Sequence, residues 1–299
     1  MPVQTAPSVL IDPREAGPKP PFPEQPQPMP GSDRQLTPQA DHGERSYKGS
    51  GKLEGCKAII TGADSGIGRA VAIAFAREGA DLVLSYLEAE QSDAEETARW
   101  IRDAGREAVL APGDLTRREN CEALVDRAVR ELGDLDIVAS NAAFQTTHED
   151  ADQWNPEEFD HTYKTNVYPL FWLTRAALKQ LRPGGSILAT ASVQAFQPSG
   201  QLLAYSSTKG AIATFIKALG ELAIQHGVRA NAVAPGPVWT PLIPSTMPQE
   251  KVKNFGGSTT IGRPAQPAEL AGAYVFLASN DARYITSSVV DVTGGSMLT

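Results

Sequence analysis

A glycine-rich turn directly after the first short apolar segment constrains the fold of this chain more than any other feature. The segment Lys57–Thr61 runs into Gly62-Ala-Asp-Ser-Gly66-Ile-Gly68, and a helical pattern begins near Arg69. Glycines at such a turn let the backbone approach a pyrophosphate, to which the first N–H groups of the helix offer hydrogen bonds. Glycine clusters also form ordinary tight turns. The position between a strand and a helix nevertheless predicts a nucleotide-binding turn.

From Leu53 onward, short apolar segments alternate with helical patterns. This alternation is typical of repeated β-α units around a parallel sheet whose two faces are both covered by helices. The predicted strands are Lys57–Thr61, Asp81–Tyr86, Ala108–Pro112, Leu135–Ser140, Gly185–Ala191, Arg229–Ala234 and Ser288–Val292. The predicted helices cover residues 66–78, 92–104, 118–132, 156–181, 203–226 and 267–278. The sequence therefore predicts an α/β fold with a doubly wound (Rossmann) seven-stranded parallel sheet, in a single domain over residues 51–299.

Residues 1–50, which we call the arm, have a different composition. They hold 11 of the 23 prolines and show almost no apolar periodicity. Such a segment alone cannot bury enough surface to offset the entropy lost on ordering. We expect the arm to be extended or disordered unless the folded domain or a neighbouring subunit holds it. A loose tail and a strap packed on a neighbouring subunit both fit the sequence.

Bulk properties exclude several function classes. The net charge of −8 and the pI near 5.1 argue against nucleic acid as a partner, because phosphate contacts need clustered Lys and Arg. The two cysteines, Cys56 and Cys121, are too few for a disulfide framework and lack metal-ligand spacing with the four histidines, so we expect no metal. No basic start precedes an apolar stretch, and no run of 18 apolar residues occurs. We expect no membrane partner and a cytoplasmic location.

The glycine spacing, G-x-x-x-G-x-G, resembles that of the short-chain dehydrogenase/reductase family. The resemblance implies roles for other positions. Asp114, after the third strand, would bind the adenine amino group of the cofactor. Asn141-Ala142-Ala143, after the fourth strand, matches the N-A-G motif that lies along the cofactor, with Ala143 in place of the usual glycine. Asn166 matches the catalytic Asn that holds a water in the proton relay of that family.

Ser192 ends the fifth predicted strand, and Tyr205 and Lys209 follow at the start of the next helix. Positions i and i+4 share a helix face, so Tyr205 and Lys209 can point together into a cleft at the carboxyl edge of the sheet. A nearby ammonium and a cationic nicotinamide both favour a phenolate, so we expect the pKa of Tyr205 to lie below about 10 and the residue to act as general acid/base. Lys209 would also hydrogen-bond the nicotinamide ribose, and Ser192 would orient the substrate oxygen.

The segment from Pro235 to Pro241, PGPVWTP, resembles the family's P-G loop, whose Val/Ile and Thr contact the nicotinamide amide and the phosphates. Residues 242–262 correspond to the mobile substrate lid of that family. The predicted catalytic residues are Asn166, Ser192, Tyr205 and Lys209. The predicted cofactor-binding residues are Gly62, Ser65, Gly66, Ile67, Gly68, Tyr86, Asp114, Leu115, Asn141, Ala142, Ala143, Tyr205, Lys209, Pro235, Gly236, Val238 and Thr240.

The cofactor would be NAD(P), with a slight preference for NAD. The second strand ends in Ser85-Tyr86-Leu87, which has neither the Asp that binds the ribose of NAD nor a basic residue for the phosphate of NADP. Arg69 lies close to the turn but is expected to face solvent. Glu90 and its neighbour Glu88 would repel a phosphate if they faced the pocket.

The residues and the resemblance together predict an NAD(P)-dependent oxidoreductase that interconverts an alcohol and an aldehyde or ketone. The resemblance extends to the branch related to general stress protein 39, in which a Pro-rich arm precedes the domain and a T-G-x-D-S-G-I-G turn recurs, and it implies a homotetramer. A catalytically idle NAD(P)-binding sensor or scaffold is the alternative, although such a protein needs no proton-transfer residues. Epimerases and dehydratases with this fold usually have a longer C-terminal substrate domain.

Overall fold

A computed structural model describes residues 10–296, so the first nine residues of the arm and residues 297–299 lie outside the described part. The strands are β1 (Lys57–Thr61), β2 (Asp81–Tyr86), β3 (Ala108–Pro112), β4 (Leu135–Ser140), β5 (Leu181–Thr190), β6 (Arg229–Pro235) and β7 (Val289–Val292). The helices are α1 (Gly66–Arg77), α2 (Gln91–Asp103), α3 (Arg118–Leu132), α4 (Pro156–Asn166), α5 (Tyr168–Ala177), α6 (Leu203–Ala223), α7 (Leu242–Thr246), α8 (Gln249–Lys253) and α9 (Pro267–Ala278).

The seven strands form one parallel sheet in the order β3-β2-β1-β4-β5-β6-β7. The predicted doubly wound fold is therefore confirmed. The strand order reverses between β1 and β4, and in such sheets a crevice opens at this point beyond the carboxyl ends of the strands. The glycine turn leaves β1 at this crevice, and residues 141–143 leave β4 beside it.

Helices cover both faces of the sheet. Phe75 of α1, Ile101 of α2 and Tyr274 of α9 are buried against one face, which explains why these strands carry apolar side chains on both sides. Val125 of α3 and Ile216 of α6 are buried against the other face, together with side chains of α5. Packing from both sides fixes the strand ends that position the crevice.

The structure divides the single helix predicted over residues 156–181 into α4 and α5. Val167 separates them, and Pro169 lies in the first turn of α5. A proline has no N–H to donate to the preceding turn and its ring clashes with the carbonyl four residues earlier, here that of Thr165. The chain then enters β5 at Leu181, earlier than predicted, through a register shift opposite Leu135 that accommodates the Pro-Gly-Gly sequence of residues 183–185.

The described part of the arm is mostly extended and lies against its own chain. Phe22 and Leu36 are buried with Trp239, Ile243 and Val252 in a small apolar cluster. The folded domain thus supplies the apolar surface that the arm lacks by itself. No helix among residues 10–296 is long and apolar enough to span a membrane.

Candidate active site

The glycine turn is shaped by close approaches that exclude side chains. A Cβ on Gly68 would lie 1.8 Å from the carbonyl oxygen of Gly62, so α1 can pack against the turn only because residue 68 has no side chain. Gly62 and Gly66 have φ values of 62° and 50°, in the left-handed region that favours glycine. A Cβ on Gly62 would lie 3.0 Å from the Cα of Ala142, which brings the predicted cofactor segment after β4 directly against the turn.

The first turn of α1 offers hydrogen-bond donors at the crevice. The backbone N–H groups of Ile67 and Gly68 have no acceptor among residues 10–296, as is usual for the start of a helix. Residues 66 and 68 are glycines, so their own positions place no side chain over these two N–H groups. Two free N–H groups at the positive end of a helix dipole fit the pyrophosphate of a dinucleotide.

Asn141 links the ends of three neighbouring strands. Its backbone N–H donates to the hydroxyl of Thr61 at 2.9 Å and its side-chain amide donates to the Thr61 carbonyl at 3.2 Å. The Thr190 hydroxyl donates to the Asn141 side-chain oxygen at 3.0 Å, and the Ala142 N–H also donates to the Thr61 hydroxyl, at 3.0 Å. These bonds fix the floor of the crevice where β1, β4 and β5 end.

The structure brings Ser192, Tyr205 and Lys209 together at the end of β5. The Tyr205 hydroxyl lies beside Ser192, whose Oγ accepts from the N–H of Gln194 at 3.1 Å. The Nζ atom of Lys209 lies 5.2 Å from the centroid of the Tyr205 ring and donates to the Thr190 carbonyl at 2.7 Å. The predicted proton-transfer residues therefore form one contiguous group.

Burial has the largest effect on the pKa values of Tyr205 and Lys209. It raises the pKa of Tyr205 to about 12, although the neighbouring Ser192 hydroxyl acts in the opposite direction. It lowers the pKa of Lys209 to about 7, because a fully enclosed ammonium loses its hydration. The expectation that the pKa of Tyr205 lies below its usual value is therefore wrong for the protein alone. How completely both groups are enclosed depends on the tertiary packing around them, which motif spacing does not reveal.

Asn166 ends α4 and connects it to the segment after β4. Its side-chain oxygen accepts from the N–H of Phe144 at 2.7 Å, and its amide donates to the carbonyl of Phe144 at 2.9 Å and to the hydroxyl of Thr208 at 3.0 Å. Both amide protons are thus engaged by protein atoms. The water-holding role implied by the resemblance would have to use the remaining lone pair of the oxygen.

The predicted P-G loop closes over the glycine turn. The Thr240 side chain would lie 3.0 Å from a Cβ on Gly66, so the two loops touch. Val238 is 5% exposed, and its backbone pairs with that of Ala265. Gly236, which follows Pro235, packs against the backbone of Thr293, where a side chain would not fit.

The remaining predicted cofactor residues lie at the carboxyl ends of β2 and β3. Asp114 is exposed and its Oδ1 accepts from the N–H of Thr116 at 2.9 Å, which leaves the other carboxyl oxygen for a ligand. Leu115 is buried beside it. The Tyr86 hydroxyl donates to Gln91 at 2.6 Å. Ser65 and Ala143 are both partly exposed at the crevice.

The expectation that Arg69 faces solvent is wrong. Its side chain is 3% exposed, and its guanidinium donates to the carbonyl of Asp64 at 2.9 Å, to the hydroxyl of Thr97 at 3.1 Å and to the carbonyl of Asp93 at 3.1 Å. Burial raises the pKa of Asp64 to about 6 and that of Glu90 to about 8, and the charge of Asp64 adds to the shift at Glu90. Two carboxyl groups thus lie where β2 and the glycine turn meet.

Sequence reasoning missed Asp33 of the arm as a residue of this site. Its Oδ2 accepts from the N–H of Gly66 at 3.0 Å, and His42 and Arg69 lie beside it. A lone Asp in a Pro-rich segment carries no signal of such a contact. Among residues 10–296, no group of three or more His, Cys, Asp or Glu side chains is placed to hold a metal ion.

The fold and this crevice define a dinucleotide-binding oxidoreductase. A family model described as Enoyl-(Acyl carrier protein) reductase matches residues 62–297. The chain belongs to the short-chain dehydrogenase/reductase family of NAD(P)-dependent oxidoreductases.

Curated relatives match along almost their whole length. The chain is 49% identical to "Uncharacterized oxidoreductase YhxD" of Bacillus subtilis over 92% of this chain and 93% of that protein. It is 43% identical to "General stress protein 39" of the same organism over 91% and 94% of the two chains. It is 39% identical to "NADPH-dependent aldehyde reductase 1, chloroplastic" of Arabidopsis thaliana over 90% and 96%. The predicted branch is therefore confirmed.

Solved structures agree with the fold. A short-chain dehydrogenase from Burkholderia cenocepacia in complex with NADP is 25% identical, has a TM-score of 0.77 and covers 82% of this chain and 98% of its own. A 3-ketoacyl-(acyl-carrier-protein) reductase from Brucella melitensis complexed with NADH is 33% identical, with a TM-score of 0.74 and coverage of 81% and 98%.

Proposed function

We propose that the protein interconverts an alcohol and an aldehyde or ketone, with Tyr205 as general acid/base and NAD(P) as hydride carrier. One observation carries the proposal. The Tyr205 hydroxyl lies beside Ser192 with the Lys209 ammonium near its ring, and Lys209 is linked through Thr190 and Asn141 to the end of β1, where the glycine turn begins.

The raised pKa of Tyr205 suits the reducing direction. A phenol with a pKa of about 12 keeps its proton at neutral pH, so Tyr205 can donate it to a carbonyl oxygen that gains negative charge. Ser192 holds the same oxygen by a hydrogen bond and orients the carbonyl carbon toward the cofactor. The bound nicotinamide supplies the hydride, and its oxidised form carries the positive charge that would lower the pKa of Tyr205 for the reverse reaction.

Other residues would bind and orient the dinucleotide. The N–H groups of Ile67 and Gly68 would bind the pyrophosphate, and Asp114 would accept from the adenine amino group. Lys209 would donate to the nicotinamide ribose, which Asn141 and the Thr240 loop enclose. Asn166 would hold the segment after β4, and thereby the pocket wall, through its three hydrogen bonds.

The name of one relative, an NADPH-dependent aldehyde reductase, supports aldehydes as the first substrate class to try. For the cofactor we propose a preference for NAD. The carboxyl group of Glu90, partly exposed just after β2, suits ribose hydroxyls, and the guanidinium of Arg69 is engaged by backbone and side-chain oxygens and so is not available to an added phosphate. An activity ratio in favour of NADPH would contradict this preference.

The test follows oxidation of NADH and of NADPH against aldehydes, ketones, sugars and steroids. We expect turnover with at least one aldehyde. Tyr205→Phe removes the proton donor but keeps the ring, so it should abolish reduction while cofactor binding stays within about twofold of the wild type. A Tyr205→Phe variant with unchanged turnover would overturn the mechanism. Cofactor binding without turnover in the wild type would instead favour the idle sensor or scaffold.

We also propose a homotetramer in the cytoplasm. Tyr168 and Phe171 of α5 and Phe159 of α4 are exposed aromatic side chains on neighbouring helices, which is the kind of surface that subunits cover. Light scattering of the purified protein would measure the mass, and a monomer would contradict the assembly. The sequence left open whether the arm packs on a neighbouring subunit, and the same measurement on a chain without residues 1–50 would test it.

A further inference from the structure

Asp33 lies at the start of the helix that carries the glycine turn. Its side chain is 2% exposed, and its Oδ2 accepts from the N–H of Gly66 at 3.0 Å. Ser65, the residue that precedes α1, makes no capping hydrogen bond with its own side chain. Asp33 therefore supplies the capping acceptor of α1 from a distant part of the chain.

The carboxylate is held in place by two cationic side chains. Nε2 of His42 lies 3.1 Å and Nε of Arg69 lies 3.6 Å from Asp33 Oδ2, and both side chains are 3% exposed. Burial alone would raise the pKa of Asp33, but the charges of His42 and Arg69 and the Gly66 hydrogen bond lower it. Asp33 is thus a fixed anion at the positive end of the α1 dipole.

The arm also forms hydrogen bonds at the C-terminal end of α1. Arg77 donates to the backbone carbonyls of Glu44 and Tyr47. The Tyr47 hydroxyl donates to Glu78 at 2.6 Å, and the N–H of Ser50 donates to the same carboxylate at 2.8 Å. The contacts at the two ends are about 18 Å apart along a helix of this length. They can therefore be altered separately.

On both sides of Asp33 the arm also contacts the loop that faces the glycine turn. A Cβ on Gly31 would lie 2.6 Å from the carbonyl oxygen of Pro241. Nε1 of Trp239 donates to the carbonyl of Pro38 at 2.8 Å. Both loops that the proposed function assigns to the cofactor, the glycine turn and the loop at Thr240, are thus in contact with the arm.

We propose that Asp33 is a positioning residue for the cofactor. By binding the N–H of Gly66, its carboxylate holds the three-glycine turn in the one conformation that presents the N–H groups of Ile67 and Gly68 to a pyrophosphate. A turn with three glycines loses much conformational entropy on ordering. If the turn is already ordered before the cofactor binds, less binding free energy is lost to ordering it, and the affinity is higher. The inference rests on the proposed function, because it concerns the same dinucleotide.

The experiment compares Asp33→Ala, Asp33→Asn and Tyr47→Phe in the full chain. Titration with NADH and with NADPH, followed by cofactor fluorescence without any substrate, gives the Kd. We expect about tenfold weaker binding for Asp33→Ala. Asp33→Asn retains an acceptor for the N–H of Gly66 and should bind the cofactor within about threefold of the wild type. Tyr47→Phe loses one hydrogen bond at the far end of α1 and should bind as the wild type does.

Hydrogen exchange supplies a readout that needs no cofactor. The peptide containing residues 62–68 should exchange faster in Asp33→Ala than in the wild type, and at the wild-type rate in Tyr47→Phe. With any substrate that turns over, Asp33→Ala should raise the KM for the cofactor and leave kcat at saturation within about twofold, as expected for a residue that only prepares the site.

Equal Kd values for Asp33→Ala and the wild type would overturn the inference, and so would equal weakening by Tyr47→Phe. If Asp33→Ala does not fold, Asp33→Ser decides, because its hydroxyl is too short to reach the N–H of Gly66, and an affinity equal to that of the wild type in this variant would overturn the inference. A wild type that binds NADH or NADPH but reduces no carbonyl would overturn the proposed reaction alone. A wild type that binds neither would overturn both proposals.

Discussion

The Nζ atom of Lys209 lies 5.2 Å from the centroid of the Tyr205 ring, and burial of this pair disfavours the charged form of each side chain. Lys209 is 1% exposed, and burial lowers its pKa to about 7 while raising that of Tyr205 to about 12. Among residues 10–296, the ammonium makes one hydrogen bond, to the Thr190 carbonyl. A buried lysine with so little compensation contributes poorly to stability, which favours a functional reason for its presence.

Lys209→Met should therefore separate activity from stability. We expect kcat/KM for carbonyl reduction to fall by about two orders of magnitude or more, since the cofactor ribose and Tyr205 lose their cationic partner. The melting temperature should stay the same or rise, because an apolar side chain replaces a desolvated ammonium. Lys217→Met, on the exposed face of the same helix, is the matched control and should change neither quantity. Retention of more than a tenth of the activity by Lys209→Met would contradict the assigned role.

His42 should make stability depend on pH. Burial alone would lower its pKa, but the charge of Asp33 and the hydrogen bond to Glu44 outweigh burial and raise the pKa to about 9, against the opposing charge of Arg69. Protonated His42 stabilises the folded state fully at pH values below about 6.5, the pKa of histidine in the unfolded chain. This contribution disappears as the pH rises through about 9, the pKa in the folded state. The shift corresponds to about 3 kcal/mol.

The measurement is urea unfolding of the wild type and of His42→Gln at pH 6, 7.5 and 9.5. The wild type should be more stable at pH 6 by up to about 3 kcal/mol, and the difference should shrink toward pH 9.5. His226→Gln removes an exposed histidine and should follow the wild type throughout. A constant difference between wild type and His42→Gln over this range would show that the His42 charge does not stabilise the fold.

Phe22→Ala should loosen the two short helices that follow the P-G loop. Phe22 is 4% exposed, and its ring stacks on Trp239 with centroids 4.2 Å apart. The N–H of Phe22 also donates to the carbonyl of Lys253 at the end of α8. Loss of the ring should cost about 3 kcal/mol of unfolding free energy. It should also raise the KM for the carbonyl substrate, because α7 and α8 lie within residues 242–262, the predicted substrate lid.

Chemical denaturation and steady-state kinetics check both effects. Ile11→Ala, at an exposed position of the same arm, should leave both unchanged. Wild-type stability in Phe22→Ala would mean that the apolar cluster under the arm is not a stabilising contact.

The sheet was predictable because its signal is local. Strands such as Asp81–Tyr86 are apolar on both faces, and the glycine turn marks the start of α1, so periodicity and spacing sufficed. The boundary at Val167 was missed although Pro169 was visible. The helical pattern continues on both sides of that proline, and proline is well tolerated in the first turn of a new helix.

The candidate site was only partly predictable. Ser192, Tyr205 and Lys209 lie together as expected, because strand ends and helix faces follow from the order of the elements. The pKa of Tyr205 and the burial of Arg69 depend on everything that packs around them. Asp33 reaches Gly66 across 33 positions of sequence with no intervening regular pattern, and such a contact leaves no trace in composition or periodicity.

The position of the arm also sets an order of events during synthesis. The arm leaves the ribosome first, yet Pro38 needs Trp239, and Asp41 needs the side chain of Gln266 and the N–H of Ala268. Contacts between residues so far apart in sequence form late in folding. Domains emerge from the N-terminus onward. Residues 38 and 41 are therefore translated long before the residues that fix them, and this part of the arm can dock only after residue 268 has been made.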